Sequence, residues 1–320
     1  MRLCSVSIDL DEIPNYYAIH GLQAPIGRGA TAVYDLALER FQEFSSSYAC
    51  PLTLFAIGAD MARPNNALAL RRMAERGHEI GNHTLDHRYD LTRLGTGEMV
   101  RQVQAGVTVI EGATGQRPVG FRAPGYTVTD ALFRVLTESG VRYDSSVFPC
   151  PAYYVAKAAA KAAIAVHGRK SRSVLDTPAV LRAPTRPYRI GKPYWRRGNG
   201  LLELPVQVTR GLRLPYIGTA LTLAGADRAR WLTRQVVGAP LVNLELHGID
   251  ALDTDDGLEE LRPHQPDVRV PAPSKMDALG AALETLRKEG YAFVRLREAA
   301  DHFNRTLTAA LPAREDYSAF

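Results

Sequence analysis

Two short stretches hold residue types that bind metals and move protons. "SIDLDE" places Asp9 and Asp11 one residue apart, and "GNHTLDH" places His83 and His87 four apart. On an extended strand, residues i and i+2 project from one face, so both carboxylates would reach one site. One could bind a metal while the other stays free as a base. The histidines could share one face of a helical turn and grip one ion. With Asp11 they make three protein ligands and leave a position open for water, the composition of a catalytic zinc site. A metal there would lower the pKa of its water toward ~7 and polarise a carbonyl. Taken singly, the stretches also suit plainer roles: an aspartate pair capping a loop, and two polar residues at a helix end. Amide hydrolysis needs, besides, an acid for the leaving amine. His247, closing "LVNLELH", suits that task near neutral pH, unless it is a satisfied core histidine.

The elements that must position these residues alternate along the chain. "CSVSIDL" predicts a buried strand, "TAVYDLALERFQEF" a helix with Val33, Leu36, Ala37, Phe41 and Phe44 on one face, and "PLTLFAIG" a second strand. "ALALRRMAERG" predicts a helix stopped by Gly77, and "HEIGNHT" a strand entering a loop. "GEMVRQVQAGVTVIEGATG" and "TDALFRVLTESG" predict helices, the second capped by Thr129. "PVGFRAPG" predicts a strand and turn, and "VRYDSS" a strand end. "LLELPVQV", "APLVNLELHG" and "YAFVRL" predict late strands. "SKMDALGAALETLRKEG" predicts a helix with Ser274 and Asp277 at capping-box spacing. Such alternation favours a parallel α/β sheet or barrel, whose sites form at the carboxyl ends of strands. Asp9, Asp11, His83, His87, Arg122, Asp144 and His247 all fall at such ends. The rhythm breaks at about 150–200, where an Ala-rich helix candidate leads into a segment rich in Arg, Pro, Tyr and Trp; this predicts an insertion within one domain (1–305), followed by a tail (306–320).

The chain has 320 residues, 46% of them hydrophobic, which suffices for a large core and excludes global disorder. A net charge of +5 is no nucleic-acid signature, and no nucleic acid is expected as a partner. Cys4, Cys50 and Cys150 are odd in number and far apart, so reduced, partly buried thiols are expected. The start of the chain offers no apolar run of a secretory signal, and no stretch is long enough to span a bilayer. A cytoplasmic location is expected.

"SIDLDE", "HTLDH", "FRAPGY", "YDSS" and "LELHG", in this order, resemble the five motifs of the NodB-homology polysaccharide deacetylases, carbohydrate esterase family four. The resemblance covers roughly residues 3 to 300, apart from the insertion. It implies a distorted (β/α)7 barrel of the NodB-homology type with an inserted basic and aromatic segment. It implies one divalent metal, zinc first, with cobalt, nickel or manganese as alternatives. Asp9 then matches the base, Asp11, His83 and His87 the metal ligands, and Arg122 the arginine that orients the base. Gly125 and Tyr126 fall where a backbone N–H helps form the oxyanion hole. His247 matches the general acid, and Asp144 the carboxylate that tunes such a histidine. The first motif departs from the usual paired aspartates, and Gly248 stands where an aspartate usually follows the last histidine. The spacing of Asp9 and Asp11 is closer to the branch that acts on lipid-linked sugars.

The expected activity is therefore removal of an acetyl or formyl group from an amino sugar carried on a glycolipid or polyprenyl phosphate at the cytoplasmic membrane face. Tyr153, Tyr154, Val155, Ile164 and Val166, with Lys157, Lys161, Arg169, Lys170 and Arg172, and then Tyr188, Tyr194, Trp195, Arg196 and Arg197, are expected to contact the membrane peripherally. The rival readings are a same-fold amidohydrolase acting on a small cyclic amide or ureide, a deacetylase of a soluble saccharide, and an inactive carbohydrate- or lipid-binding module.

Overall fold

The computed structural model describes residues 1–175 and 177–309. Strand β1 (Arg2–Asp9) lies inside the sheet and is buried along all but its first residue. Its two faces differ in kind. Cys4, Val6 and Ile8 enter the large apolar cluster beneath the helices. Ser5, Ser7 and Asp9 are equally buried on the other face. The weak alternation of the sequence is thus an apolar outer face and a polar inner one.

Eight further strands complete one sheet: β2 (Leu52–Ala56), β3 (Glu79–Asn82), β4 (Gly120–Phe121), β5 (Tyr143–Asp144), β6 (Tyr188–Ile190), β7 (Arg197–Glu203), β8 (Leu241–His247) and β9 (Tyr291–Phe293). The order is β6-β7-β5-β4-β3-β2-β1-β8, with β9 pairing the start of β1. All pairs are parallel except β6 with β7. The chain after β7 returns to β8. Gln207 N–H donates to Asn243 O at 3.1 Å, and Asn243 Nδ2 donates to Leu204 O at 3.0 Å. These bonds tie the segment after β7 to β8, so that the sheet curls into the distorted barrel form that the resemblance implies.

Helices α1 (Ile13–His20), α2 (Leu38–Ser47), α3 (Pro64–Glu75), α4 (Thr96–Thr114), α5 (Asp130–Glu138), α6 (Pro151–Val166), α7 (Gly218–Ala224), α8 (Ala226–Arg234), α9 (Ala272–Lys288) and α10 (Leu296–Ala309) complete the chain. Thr129 caps α5 as expected, accepting from Leu132 N–H at 3.2 Å. Two other helix starts differ from expectation. The turn before α2, Val33–Ala37, is a π-helix, and Glu12 accepts the N–H of Val33 at 2.9 Å and of Tyr34 at 3.4 Å. Helix α9 begins at Ala272, two residues before Ser274, so the Ser274–Asp277 box is not its cap. Pro273 suits the first turn, and Asp253 from a preceding loop accepts the Ala272 N–H at 2.6 Å.

The segment at 150–200 is more than an addition to the scaffold. It supplies β6 and the start of β7 at the sheet edge. Tyr188 and Tyr194 are core residues, and Trp195 packs on the same cluster. The Tyr188 and Tyr194 rings are therefore spent on the fold and not offered to a membrane, while Trp195 is half-buried. Of the apolar residues on α6, Ile164 is buried while Val155 and Val166 are exposed. Cys4, Cys50 and Cys150 are buried and unpaired. Among the described residues, no helix is long and apolar enough to cross a membrane. Helix α10 carries the chain into the expected tail as far as Ala309; residues 310–320 lie outside the described residues.

Candidate active site

Strand register decides which polar residues meet. Asp9, at the end of β1, is paired with Phe55 on β2 and with His247 on β8. His83 is the first residue past β3, its N–H on Ala56 O at 2.8 Å. Arg122 is the first past β4, its N–H on Asn82 O at 3.1 Å. All four therefore stand at the carboxyl edge of the sheet, where parallel strands leave room for a site.

The segment from His83 to His87 is a loop and not the helical turn considered from its spacing. Thr84 and His87 take left-handed backbone conformations, with φ of 71° and 50°. Thr84 Oγ1 accepts the His87 N–H at 3.0 Å and closes the loop. Both rings are oriented from behind. His83 Nδ1 donates to Arg122 O at 2.8 Å, and His87 Nδ1 meets Asn15 Oδ1 at 3.2 Å. A carbonyl oxygen only accepts, so the proton sits on Nδ1 and the Nε2 lone pair is left for a metal. Each Nε2 stands 3.2 Å from Asp11 Oδ1.

Asp11, His83 and His87 bring one ligand atom each to within 4.8 Å of one another, all three residues buried. Asp11 Oδ1 and His87 Nε2 are buried without a hydrogen-bond partner. Unpaired buried acceptors are costly, and a divalent cation would satisfy both. A deprotonated carboxylate with two imidazole lone pairs is a fitting donor set for a divalent ion.

Asp9 has a different partner. Arg122, fully buried, donates from Nη1 to Asp9 Oδ1 at 2.7 Å. Its Nη2 donates to Ser7 Oγ at 2.9 Å and to Ser145 Oγ at 2.8 Å, and its Nε to Ser145 O at 2.8 Å. The guanidinium lies 4.3 Å from the centre of the Phe55 ring. Its donors are thus spread over a carboxylate, two hydroxyls and a carbonyl, which aims one carboxylate oxygen at the arginine and leaves the other toward the site.

His247 Nδ1 stands 2.8 Å from Glu245 Oε1. Burial disfavours charge on this imidazole, but Glu245, and after it Asp9 and Asp11, lift its pKa well above the ordinary value. The carboxylate beside His247 is therefore Glu245. Asp144, which the resemblance put in that place, accepts from Ser146 N–H at 3.0 Å and from Ser146 Oγ at 2.8 Å. It neighbours Glu203, which burial and the Asp144 charge push well above the carboxylate range. Ser146 Oγ in turn receives the Ala123 N–H at 2.8 Å, so Asp144 supports the turn that follows Arg122. The departure at Gly248 has a steric cause: a Cβ there would fall 2.4 Å from Val33 Cγ1. Asp250 supplies the carboxylate instead, accepting the His247 N–H at 2.9 Å.

Gly125 and Tyr126 both have φ near 60°, at 63° and 60°. The Tyr126 N–H, placed by the resemblance in an oxyanion hole, donates to Ala123 O at 3.1 Å. Gly125 O accepts from Lys157 on α6 at 3.1 Å. The Tyr126 and Tyr16 rings flank His247 edge-on, at 6.3 and 6.4 Å. Four residues that position the others escaped sequence reading: Ser7, Asn15, Ser145 and Glu245. Ser7 and Glu245 left a signal, each two residues before a site residue on its strand, Asp9 and His247, and hence on the same face.

Residues 34–143 match the family described as polysaccharide deacetylase. A peptidoglycan-N-acetylglucosamine deacetylase of Bacillus cereus is 31% identical over 93 residues, which is 29% of this chain and 42% of that protein. A peptidoglycan deacetylase-like protein of Gibberella zeae is 34% identical over 80 residues, 25% of this chain and 23% of that protein. The chain thus spans less than half the length of the curated relatives it matches. Among solved structures, a Mycobacterium smegmatis protein described as a polysaccharide deacetylase superposes with a TM-score of 0.61 at 19% identity, covering 96% of this chain and 92% of that one. A family 4 acetyl xylan esterase of Clostridium thermocellum, in complex with a cobalt ion, superposes with a TM-score of 0.50 at 16% identity, covering 95% and 92%. These two likenesses establish the fold.

Proposed function

We propose, from the match of residues 34–143 to the polysaccharide deacetylase family, that this chain is a metal-dependent hydrolase removing an N-acyl group from an amino sugar. The observation that carries this reading is the pairing of two divided sets at one sheet edge. Asp11, His83 and His87 converge as a donor set, while Asp9 and His247 stand on adjacent strands with their own partners. A divalent ion on the first set, zinc by preference, would polarise the acyl carbonyl and acidify the attacking water. Asp9, kept in place by Arg122, takes the proton of that water. The Arg122 fork prevents Asp9 from turning away from the site. His247, kept protonated beside Glu245, gives its proton to the departing amine. Tyr16 and Tyr126 confine the imidazole edge-on and limit water around it.

The experiment is a panel of N-acetyl and N-formyl amino sugars against cyclic imides and ureides, with the metal-loaded and chelated protein. Release of acetate or formate from the sugars, lost on chelation and restored by Zn²⁺ or Co²⁺, supports the reading. Turnover of the cyclic amides alone would replace it with the small-amide reading.

The sugar is, on our reading, carried by a lipid at the cytoplasmic membrane face. Support comes from the basic residues after α6 and from exposed Val155 and Val166 on that helix. Basic side chains near an anionic surface contribute about 1 kcal/mol each. Co-sedimentation with anionic and neutral vesicles at low and high salt tests this. Equal, negligible binding to both, with efficient turnover of a lipid-free sugar, would leave a deacetylase of a soluble saccharide.

A further inference from the structure

A cavity of about 870 Å³ opens beside the candidate metal ligands. Asn15, His87 and Tyr89 line it from the site, and Lys170, Ser171 and Arg172 line it from the segment after α6. That segment is tied to α1. The Arg172 N–H donates to Ala18 O at 3.3 Å, and an added Cβ on Gly21 would fall 3.0 Å from Arg169 Cβ. The backbone is thereby held across from His87.

The charges around this cavity do not balance. Asp86 is engaged by Arg101 at 2.9 Å and by Gln102 at 2.7 Å. Asp90 is engaged twice by Arg88, at 2.8 and 2.9 Å. Arg93, Lys170 and Arg172 also line the cavity, and among the described residues none of them forms an ion pair with a carboxylate. A fourth cation lies close to this group: burial, and then the charge of Arg93, holds the Lys161 ammonium below its ordinary value. Arg93, Lys170 and Arg172 are each exposed, and from two separate segments they line one concavity that also contains His87. Uncompensated cations lining a concave, partly walled space focus a positive field on whatever enters it.

We infer that this cavity is the subsite for a phosphate ester on the substrate, held by Arg93, Lys170 and Arg172. The inference rests on the deacetylase reading for its substrate and extends it to the group that selects the sugar. A phosphate ester brings up to two negative charges and three acceptor oxygens, which three convergent cations can engage together. The site separates binding from chemistry. The cations grip the phosphate on the outer side of His87, while the acyl group lies toward Asp9 and His247. The other basic pair of the 150–200 segment does not share this role. Arg197 lines a separate cavity between α5 and the β6–β7 hairpin.

The test uses the Zn²⁺-loaded protein, a variant with Arg93→Gln, Lys170→Gln and Arg172→Gln, and a charge-keeping Arg93→Lys, Arg172→Lys variant. Binding of inorganic pyrophosphate is measured by calorimetry. Turnover is measured on N-acetylglucosamine 1-phosphate, on its isoprenyl ester, and on the uncharged methyl glycoside. The wild type should favour the phosphates over the glycoside by about tenfold or more, the scale of a lost charge-assisted contact, and less so at high salt. The glutamine variant should lose that preference and bind pyrophosphate about tenfold more weakly, while its turnover of the methyl glycoside stays unchanged. The lysine variant should keep most of both. Equal use of the two phosphates identifies a free phosphate, and a further gain for the ester identifies a lipid head group; either supports the subsite. Pyrophosphate affinity equal in wild type and glutamine variant, or a wild type indifferent to the phosphate, overturns it. Charge-dependent pyrophosphate binding without hydrolysis of any N-acyl sugar would instead overturn the deacetylase reading and leave the anion site standing.

Discussion

Glu245 and His247 stand two residues apart on β8, and the buried Glu245 carboxylate lies 2.8 Å from His247 Nδ1. Strand geometry makes the pair. Alternate residues share a face, so a glutamate at this spacing reaches the imidazole without help from any other element. Its charge offsets the cost that burial places on the imidazolium.

Replacing that carboxylate should therefore move a pH limb. A general acid must be protonated, and Glu245 raises the pH up to which His247 keeps its proton. In Glu245→Gln the alkaline limb of kcat/KM should shift to lower pH, with kcat at neutral pH lower by roughly 10- to 100-fold, within the usual worth of acid catalysis. Asp144→Asn should leave that limb in place. A limb that moves with Asp144→Asn and not with Glu245→Gln would return the tuning role to Asp144.

Asn15 holds His87 from behind, its Oδ1 3.2 Å from Nδ1. Partners that orient a ligating histidine are commonly worth 10- to 100-fold in metal affinity. Asn15→Ala should weaken Zn²⁺ binding by about that factor in a competition with a chromophoric chelator. His83→Ala should lose the metal outright, and Asp9→Asn should keep it while losing activity. Loss of metal in Asp9→Asn would reverse the roles of the two aspartates.

Arg122 and Asp9 form a fully buried ion pair at 2.7 Å. Removing one partner strands the other charge, at a cost of roughly 3–5 kcal/mol. Arg122→Met should lose about that much in urea unfolding, and adding Asp9→Asn to it should recover a large part. Additive losses in the double variant would show that the two side chains act on stability separately.

His78 predicts an acid-sensitive fold away from the site. Its Nδ1 accepts the Leu52 N–H at 3.1 Å and its Nε2 meets Gln42 Oε1 at 3.0 Å. Burial first, and then the charges of Arg76 and Arg295, push its pKa down to about 4. The unfolded chain, with a histidine pKa near ~6.5, takes up a proton that the folded one refuses. This contribution is complete above about pH 6.5 and is lost as the pH falls toward 4, on the order of 3 kcal/mol in all. The urea midpoint should therefore fall between pH 7 and 4.5 by more in the wild type than in His78→Asn. Parallel curves would remove His78 as the cause.

Much of the site could be read without coordinates because its residues announce themselves by type and by place. Asp9, Asp11, His83, Arg122 and His247 each end or follow a strand whose apolar run is local in the sequence, and local patterns need no knowledge of the fold. Three decisions lay beyond that reach. The conformation of His83–His87 is a loop because the Thr84 hydroxyl and left-handed backbone close it, and residue spacing alone is compatible with either form. The cap of α9 comes from Asp253, nineteen residues before Ala272, where no local box could reveal it. The meeting of Asp9 with His247 and with Arg122 depends on β8 and β4 flanking the strands that they do. Pairing register is a long-range choice, made by burial of whole faces and not by any one segment. For the same reason the sequence alone offered the proposed ligands, base and acid, while only their assembly across the sheet decided that Glu245, and not Asp144, stands beside His247.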